Sequence, residues 1–149
     1  MENIFDDAYF MRKALQEADE AFEKGEIPVG AVIVIDNRII ARAHNLTETL
    51  NDVTAHAEMQ AITAAANFLG GKYLQNCTLY VTLEPCQMCA GALYWSQISN
   101  IVYAARDEKR GCEAMGTQLH PKTKIKGGIL EKEASELMKR FFIQNRNLN

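Results

Sequence analysis

The sequence lacks low-complexity tracts, internal repeats and linker-like stretches along its 149 residues. We therefore expect a single domain over residues 1–149, which is long enough to enclose an apolar core. The N-terminal stretch MENIFDDAYFMRKAL also lacks an uninterrupted apolar run. Because a signal peptide or a membrane anchor needs such a run, we expect neither, and we expect a cytoplasmic protein without a membrane partner.

Cysteine is scarce, with four residues at positions 77, 86, 89 and 112. Thiols stay reduced in the cytoplasm, so these cysteines are predicted to be metal ligands, catalytic thiols or buried apolar side chains instead of disulfides. We interpret Cys77 and Cys112 as packing residues. His44 and His120 are interpreted as ordinary polar residues, because neither has a partner at ligand spacing.

A general excess of positive charge is also missing, because the formal net charge is −3. This balance argues against a protein that coats nucleic acid without specificity. Residues 120–149 nevertheless carry seven basic side chains against three acidic ones. That local charge can serve an anionic partner, although a solvated helical face is the alternative interpretation.

Hydrophobic periodicity predicts an alternation of helices and strands. Helices are expected over 6–24, 54–68, 86–95 and about 131–146, a hairpin over 29–43 with its turn at Asp36-Asn37, and strands over 78–83 and 100–105. Pro85 is expected at the first helical position of the third helix. Residues 112–124 show no clear pattern and are interpreted as a loop with room for a further strand. This order predicts an α/β fold with one mixed sheet and helices on both of its faces.

The residues that carry chemistry are His56-Ala57-Glu58 and, further on, Pro85-Cys86-Gln87-Met88-Cys89. Cys86 and Cys89 are three residues apart, so in the first turn of a helix they project from the same face. His56 opens the preceding helix. Imidazole nitrogen and thiolate sulfur are preferred ligands of zinc, and the helix N-terminus favours the thiolate form of cysteine.

Three protein ligands leave the fourth position of a tetrahedral zinc ion open to water, which loses a proton near neutral pH when it is bound there. Glu58 is not needed as a ligand, yet it lies two residues after His56. A carboxyl group in that place can accept a proton from water and pass it to a substrate. The motif therefore predicts a catalytic zinc site with Glu58 as general base and acid.

Two alternatives use the same residues. A Cys-x-x-Cys pair alone also occurs in redox dithiols and in structural zinc knuckles. With Cys77 or Cys112 as a fourth ligand the site would be closed and structural. A protein with such a structural zinc site, which would bind RNA without turning it over, is the corresponding alternative function; we call it the zinc-stapled RNA-binding module.

The pair of motifs resembles the zinc-dependent nucleoside and nucleobase deaminases, whose His-x-Glu and Pro-Cys-x-x-Cys signature and chemistry are well described. The similarity to bacterial tRNA adenosine deaminases covers nearly the whole chain. It includes GEIPVGAVIV (25–34), ARAHN (41–45), TAHAE (54–58), TLYVTLEPCQMCAGAL (78–93), VYAARD (102–107) and the tail GGIL…FF (127–142).

The resemblance implies a cytidine deaminase-like fold, a three-layer αβα arrangement with a five-stranded mixed sheet, and one Zn²⁺ per subunit of a homodimer. It implies hydrolytic conversion of adenosine to inosine at the wobble position of a tRNA anticodon stem-loop. By the same resemblance, Asn45 would bind the flipped nucleoside and Asp107 its ribose or the neighbouring backbone. Phe142 and Arg146 would hold the anticodon loop.

Two stretches differ from the family pattern. The segment between Gly111 and Gly127 is several residues shorter, and the ending FFIQNR has fewer arginines. In addition, GALYW (91–95) is similar to bacterial guanine deaminases, which share the fold and the ligands. Deamination of a free nucleobase such as guanine or cytosine is therefore the alternative function.

Overall fold

A computed structural model describes residues 4–146, without the side chain of Arg146. The elements in chain order are α1 (Asp7–Glu23), β1 (Gly30–Ile35), β2 (Arg38–His44), α2 (Ala57–Leu69), β3 (Thr78–Leu83), α3 (Gln87–Ser96), β4 (Asn100–Ala105), β5 (Lys124–Lys126) and α4 (Glu131–Arg146). Across the described part of the chain, no helix combines the length and the apolar character that crossing a membrane requires.

The first helix begins and ends where its local sequence predicts. Asp6 caps it, because the Asp6 carboxylate accepts a hydrogen bond from the Tyr9 backbone N–H at 2.8 Å. Gly25 follows its end with a φ of +77°. Gly30 lets the helix approach β1 closely, since a Cβ at this position would lie 2.1 Å from the Ala14 carbonyl oxygen.

The five strands form one mixed sheet in the order β2-β1-β3-β4-β5. β1 pairs antiparallel with both β2 and β3, whereas β4 runs parallel to β3 and to the short edge strand β5. Asp36 and Asn37 both have positive φ values, as the two-residue turn of the β1–β2 hairpin requires. The predicted mixed sheet is thus confirmed. The further strand for which the sequence left room is β5, which begins at the last residue of the 112–124 segment.

Alternating side chains of the strands supply two cores, one on each face of the sheet. Ile33, Leu79 and Ile101 pack in a cluster with residues of α2 and α3. The neighbouring Val32, Tyr80 and Val102 pack in a second cluster with α1 and with Ala134 of α4. Because side chains alternate between the two faces along each strand, α2 and α3 pack on one face of the sheet, and α1 and α4 pack on the other. This confirms the three-layer αβα arrangement.

Two predicted helix starts are wrong by one to three residues. α2 begins at Ala57 instead of residue 54, because the Asp52 carboxylate accepts hydrogen bonds from both the Thr54 N–H and the Thr54 hydroxyl at 2.8 Å. α3 begins at Gln87, so Cys86 is its N-cap and Pro85 lies before the helix instead of at its first position. Both corrections move a predicted metal ligand onto an N-cap.

Candidate metal centre and active site

The predicted metal ligands lie at the starts of two helices on the same face of the sheet. His56 is the N-cap residue of α2, and Cys86 is the N-cap residue of α3. Cys89 lies in the first turn of α3 and is fully buried. The two helix N-termini therefore converge on one place, where their unpaired backbone N–H groups favour negative charge on sulfur.

The geometry of the three side chains matches one zinc ion. The Nδ1 atom of His56 lies 3.7 Å from the Cys86 sulfur and 3.6 Å from the Cys89 sulfur. In a zinc tetrahedron with ordinary Zn–N and Zn–S bonds, nitrogen and sulfur ligands are separated by about 3.6 Å. The donor set and its spacing therefore fit zinc without rearrangement.

The two sulfurs are coupled to each other through a hydrogen bond. A hydrogen bond from Cys89 is the main cause that lowers the pKa of Cys86 to about 4, and His56 contributes to the same shift. The hydrogen bond to Cys86, together with burial, raises the pKa of Cys89. Without a metal the two sulfurs thus share one proton, whereas zinc requires both as thiolates and so displaces that proton.

Among the described residues, the group of ligand atoms within 4.8 Å of one another contains His56, Cys86 and Cys89 but no fourth member. Cys77 is fully buried in the core, and burial raises the pKa of its thiol. The Cys112 thiol contacts the Glu84 carboxylate at 3.6 Å, and burial is the main cause that raises its pKa to about 11. Both cysteines therefore act as packing residues in the described structure, and the closed structural site gains no support.

Glu58 lies in the first turn of α2, two residues from His56, and only 4% of it is exposed. Burial is the main cause that raises the pKa of its carboxyl group to about 7, and the negative Cys86 sulfur adds to the shift. A carboxyl group in this range can both accept and donate a proton near neutral pH. Its position beside the ligands, outside their group, suits proton transfer instead of coordination.

Asn45 and Asp107 are tied through hydrogen bonds to the segments that carry the ligands. Asn45 follows β2 and is 6% exposed. The Gln60 side chain donates hydrogen bonds to the carbonyls of His44 at 2.8 Å and Ala55 at 3.2 Å, so it holds Asn45 beside the segment that leads to His56. The Asp107 N–H donates to the Glu84 carboxylate, which lies two residues before Cys86.

The two residues predicted for the anticodon loop lie on α4, in the other helical layer. Phe142 is 51% exposed, whereas its neighbour Phe141 is buried against Phe22 of α1. The structure does not bring Phe142 into the group around His56. The side chain of Arg146 lies outside the described residues, so its predicted contact stays a prediction.

Two buried carboxylates with long-range hydrogen bonds were missed by the motif reasoning. Glu26 is fully buried and accepts hydrogen bonds from the Glu48 N–H at 3.0 Å and from the Thr49 N–H and hydroxyl at 2.6 Å. Burial raises the pKa of Glu26, but these hydrogen bonds outweigh it and hold the pKa below the ordinary value of 4.5. Glu84 accepts comparable bonds from the segment after β4.

His44 also has partners that its sequence spacing did not reveal. Its Nδ1 lies 2.9 Å from a Glu17 carboxylate oxygen, and its Nε2 lies 3.0 Å from the Lys24 ammonium. The positive charge beside His44 and Glu17 is therefore supplied by the Lys24 ammonium group. The prediction that His44 is an ordinary polar residue is consistent with this arrangement.

Comparison with known proteins agrees with the geometry. Residues 5–105 match the family described as the cytidine and deoxycytidylate deaminase zinc-binding region. A tRNA-specific adenosine deaminase of Aquifex aeolicus (strain VF5) is 49% identical over 93% of this chain and 95% of its own length. The chain belongs to the tRNA-specific adenosine deaminases within this zinc-dependent family.

Solved structures of the deaminase family share the fold. A structure from work on A-to-I editing by tRNA:A34 deaminases at the wobble position of transfer RNA superposes with a TM-score of 0.81 and 44% identity, covering 87% of this chain and 98% of that one. A guanine deaminase from Bacillus subtilis gives a TM-score of 0.64 and 42% identity, covering 73% of this chain and 69% of its own. The match to the tRNA deaminase thus extends further along both chains.

Proposed function

We propose that this protein hydrolyses adenosine to inosine at the wobble position of tRNA anticodons. The observation that carries the proposal is the triangle of His56, Cys86 and Cys89, with its 3.6–3.7 Å nitrogen–sulfur distances and the buried Glu58 beside it. Family membership, with relatives named for tRNA at up to 49% identity, supports adenosine in tRNA as the substrate.

The reaction replaces the C6–N bond of adenine by a C6–O bond and releases ammonia. When bound at the three ligands, zinc acidifies water and so supplies a nucleophile near neutral pH. Glu58 would accept a proton from the attacking water and deliver it to a ring nitrogen. It would then take a second proton from the hydroxyl group newly attached to C6 and give it to the departing amino group, so that C6 keeps a carbonyl oxygen and ammonia leaves. Burial of Glu58 keeps bulk water away from these transfers.

The proposed substrate contacts come from the family resemblance. Asn45 would hydrogen-bond the extruded nucleoside, and Asp107 would meet its ribose or the adjoining backbone. Phe142 offers an exposed ring for stacking on an unpaired base of the anticodon loop. Arg146 would contact a phosphate nearby, and RNA affinity should fall steeply as salt rises.

The ligand set comes from a single chain, which supports one zinc ion per subunit. We also propose a homodimer in the cytoplasm. Large apolar side chains support the dimer, because Trp95 at the end of α3 is 77% exposed and Phe68 at the end of α2 is 57% exposed. Light scattering of the zinc-loaded protein, compared with a Trp95→Glu variant, tests this assembly.

The function itself is tested by incubating the zinc-loaded protein with an unmodified arginine tRNA transcript that has adenosine at the wobble position. We expect inosine at that base and no change elsewhere in the transcript. Glu58→Gln, which keeps the ligands, serves as the inactive control. Tight RNA binding without inosine would instead support the zinc-stapled RNA-binding module.

Free guanine is the second candidate substrate, because a guanine deaminase is 42% identical over the matched region. Ammonia release from free guanine, or from cytosine, with no inosine in the transcript would replace the proposal by this alternative. A small neutral substrate would also leave the rate insensitive to salt.

A further inference from the structure

The carboxylate of Glu84 is buried at the end of β3, two residues before the ligand Cys86, and only 3% of the residue is exposed. Its Oε1 accepts a hydrogen bond from the Asp107 N–H at 3.1 Å. Its Oε2 accepts one from the Glu113 N–H at 3.0 Å and one from the Cys112 thiol at 3.6 Å. All three donors belong to residues 107–113, which we call the 107–113 loop.

The same loop is also attached to the segment that carries Cys86. The Cys112 N–H donates to the Pro85 carbonyl at 2.8 Å, and Gly111 forms an isolated antiparallel bridge with Cys86. A Cβ at Gly111 would lie 2.3 Å from Glu84 Oε1 and 2.5 Å from the Asp107 carbonyl oxygen. The contact is therefore too close for any residue other than glycine, so the loop backbone lies directly on the carboxylate.

The start of the loop is fixed by a second carboxylate. Asp107 Oδ1 accepts hydrogen bonds from the N–H groups of Arg110 at 2.9 Å and Lys109 at 3.1 Å. The Asp107 N–H is in turn one of the three donors to Glu84. The position of Asp107 relative to Cys86 thus depends on one buried side chain.

We propose that Glu84 is a positioning residue that sets the distance between the 107–113 loop and the metal-binding helix α3, and so determines how well Asp107 meets the RNA. This inference rests on the proposed function for its substrate. A buried carboxylate is tolerated only when its oxygens are hydrogen-bonded, and here every named partner is a donor from that loop. Glutamine has the same shape but would direct an amide N–H₂ group at one of these donors.

Glu84→Gln tests the inference in the zinc-loaded protein. We expect unchanged zinc content and a KM for an anticodon stem-loop RNA that rises about tenfold, because one loop donor is left unsatisfied. The kcat should fall by less than the KM rises. Hydrogen exchange at the amides of Asp107 and Glu113 should accelerate, which is a readout that does not depend on turnover.

Glu108→Gln is the matched control, since Glu108 is an exposed residue of the same loop and the change in charge is identical. It should leave both the KM and the exchange rates close to those of the wild-type protein. Glu84→Asp, which retains the charge but is one methylene shorter, should recover part of the KM defect. Gly111→Ala should raise the KM as Glu84→Gln does, because its methyl group enters the space of the carboxylate.

Failure of this inference can be separated from failure of the proposed function. If wild-type protein forms inosine while Glu84→Gln and Gly111→Ala keep its KM and its amide protection, the positioning role is wrong. Loss of zinc in soluble Glu84→Asp would also overturn it, because the residue would then support the metal site itself. If wild-type protein forms no inosine, the proposed function fails, and amide exchange in the variants still decides whether Glu84 holds the loop.

Discussion

The starts of α2 and α3 differ from the C-terminal helix α4 in how their functional residues are held. His56, Cys89 and Glu58 are half or fully buried, and each is fixed by a helix start or by neighbouring side chains. On α4, Phe141 is buried against α1, while the adjacent Phe142 is half exposed. The first region suits chemistry that requires fixed distances, whereas the second offers a surface that a large partner can cover.

The difference also explains where charge lies. At the helix starts, a hydrogen bond from Cys89 is the main cause that lowers the pKa of Cys86, and burial is the main cause that raises the pKa of Glu58. On α4 the charged residues between positions 131 and 140 are exposed, and the guanidinium carbon of Arg140 lies 5.5 Å from the ring centroid of Phe22. Salt screens exposed charges of this kind, so their effect on a partner depends on ionic strength. Substitutions in the two regions should therefore affect different kinetic constants.

The largest effect is expected for Cys86→Ala. Removing one of three ligands should abolish zinc binding and activity together and lower the melting temperature, because metal affinity contributes to folding. Zinc content by elemental analysis and thermal unfolding measure these changes. Cys77→Ala is the control, since Cys77 is buried in the core away from the ligands, and it should keep zinc and activity. A fully active, zinc-loaded Cys86→Ala protein would contradict the ligand assignment.

Glu58→Gln should separate chemistry from metal binding in the same region. The amide keeps the shape of the side chain but cannot accept and return a proton, so kcat should fall by about 10²–10⁴-fold. Zinc content should stay at the wild-type level. The exposed Glu23→Gln on α1 is the matched control and should be fully active. Wild-type turnover in Glu58→Gln would mean that another group transfers the proton.

The sequence was sufficient to predict the regular elements and the motif residues for identifiable reasons. β3 and β4 have the predicted bounds because each is a short run rich in apolar, β-branched and aromatic residues. The pairing of Cys86 with Cys89 follows from their local spacing, whereas His56, 30 residues before Cys86, joins them through the fold, as the family resemblance implied. By contrast, the start of α2 was misplaced because Asp52 captures the Thr54 N–H in a turn that competes with the helix.

Glu26 and Glu84 could not be found from the sequence, because their function depends on long-range contacts. Glu26 binds residues 22 and 23 positions further along the chain, and Glu84 binds residues 23 to 29 positions further along. A single glutamate near a proline has the sequence pattern of a solvated loop residue. Only the fold reveals that each carboxylate is buried and hydrogen-bonded to a distant segment of the chain.

Glu26→Gln should change the stability of the fold instead of turnover. Because the folded-state pKa of Glu26 lies below its ordinary value of 4.5, the ionised side chain stabilises the fold above that pH. This contribution is lost as pH falls through the lower folded-state pKa. We expect the variant to be less stable by about 2 kcal/mol at pH 7, with the difference shrinking below about pH 4.5. Denaturant unfolding across pH measures it, and a difference that does not change with pH would contradict the charged role.

The smallest effect is expected for Phe142→Ala on α4, where the loss of one stacking partner should raise the KM for the anticodon stem-loop by about tenfold. The kcat and the zinc content should stay within twofold of wild type, because Phe142 lies in the helical layer opposite the ligands. Ile143→Ala is the matched control, since Ile143 is 57% exposed against 51% for Phe142 but has no ring to stack on a base. If Phe142→Ala lowers kcat and leaves KM unchanged, α4 acts on the reaction centre and the division between the two regions fails. If neither constant changes while free guanine is deaminated, the exposed Phe142 ring does not contact RNA, and a free nucleobase is supported as the substrate.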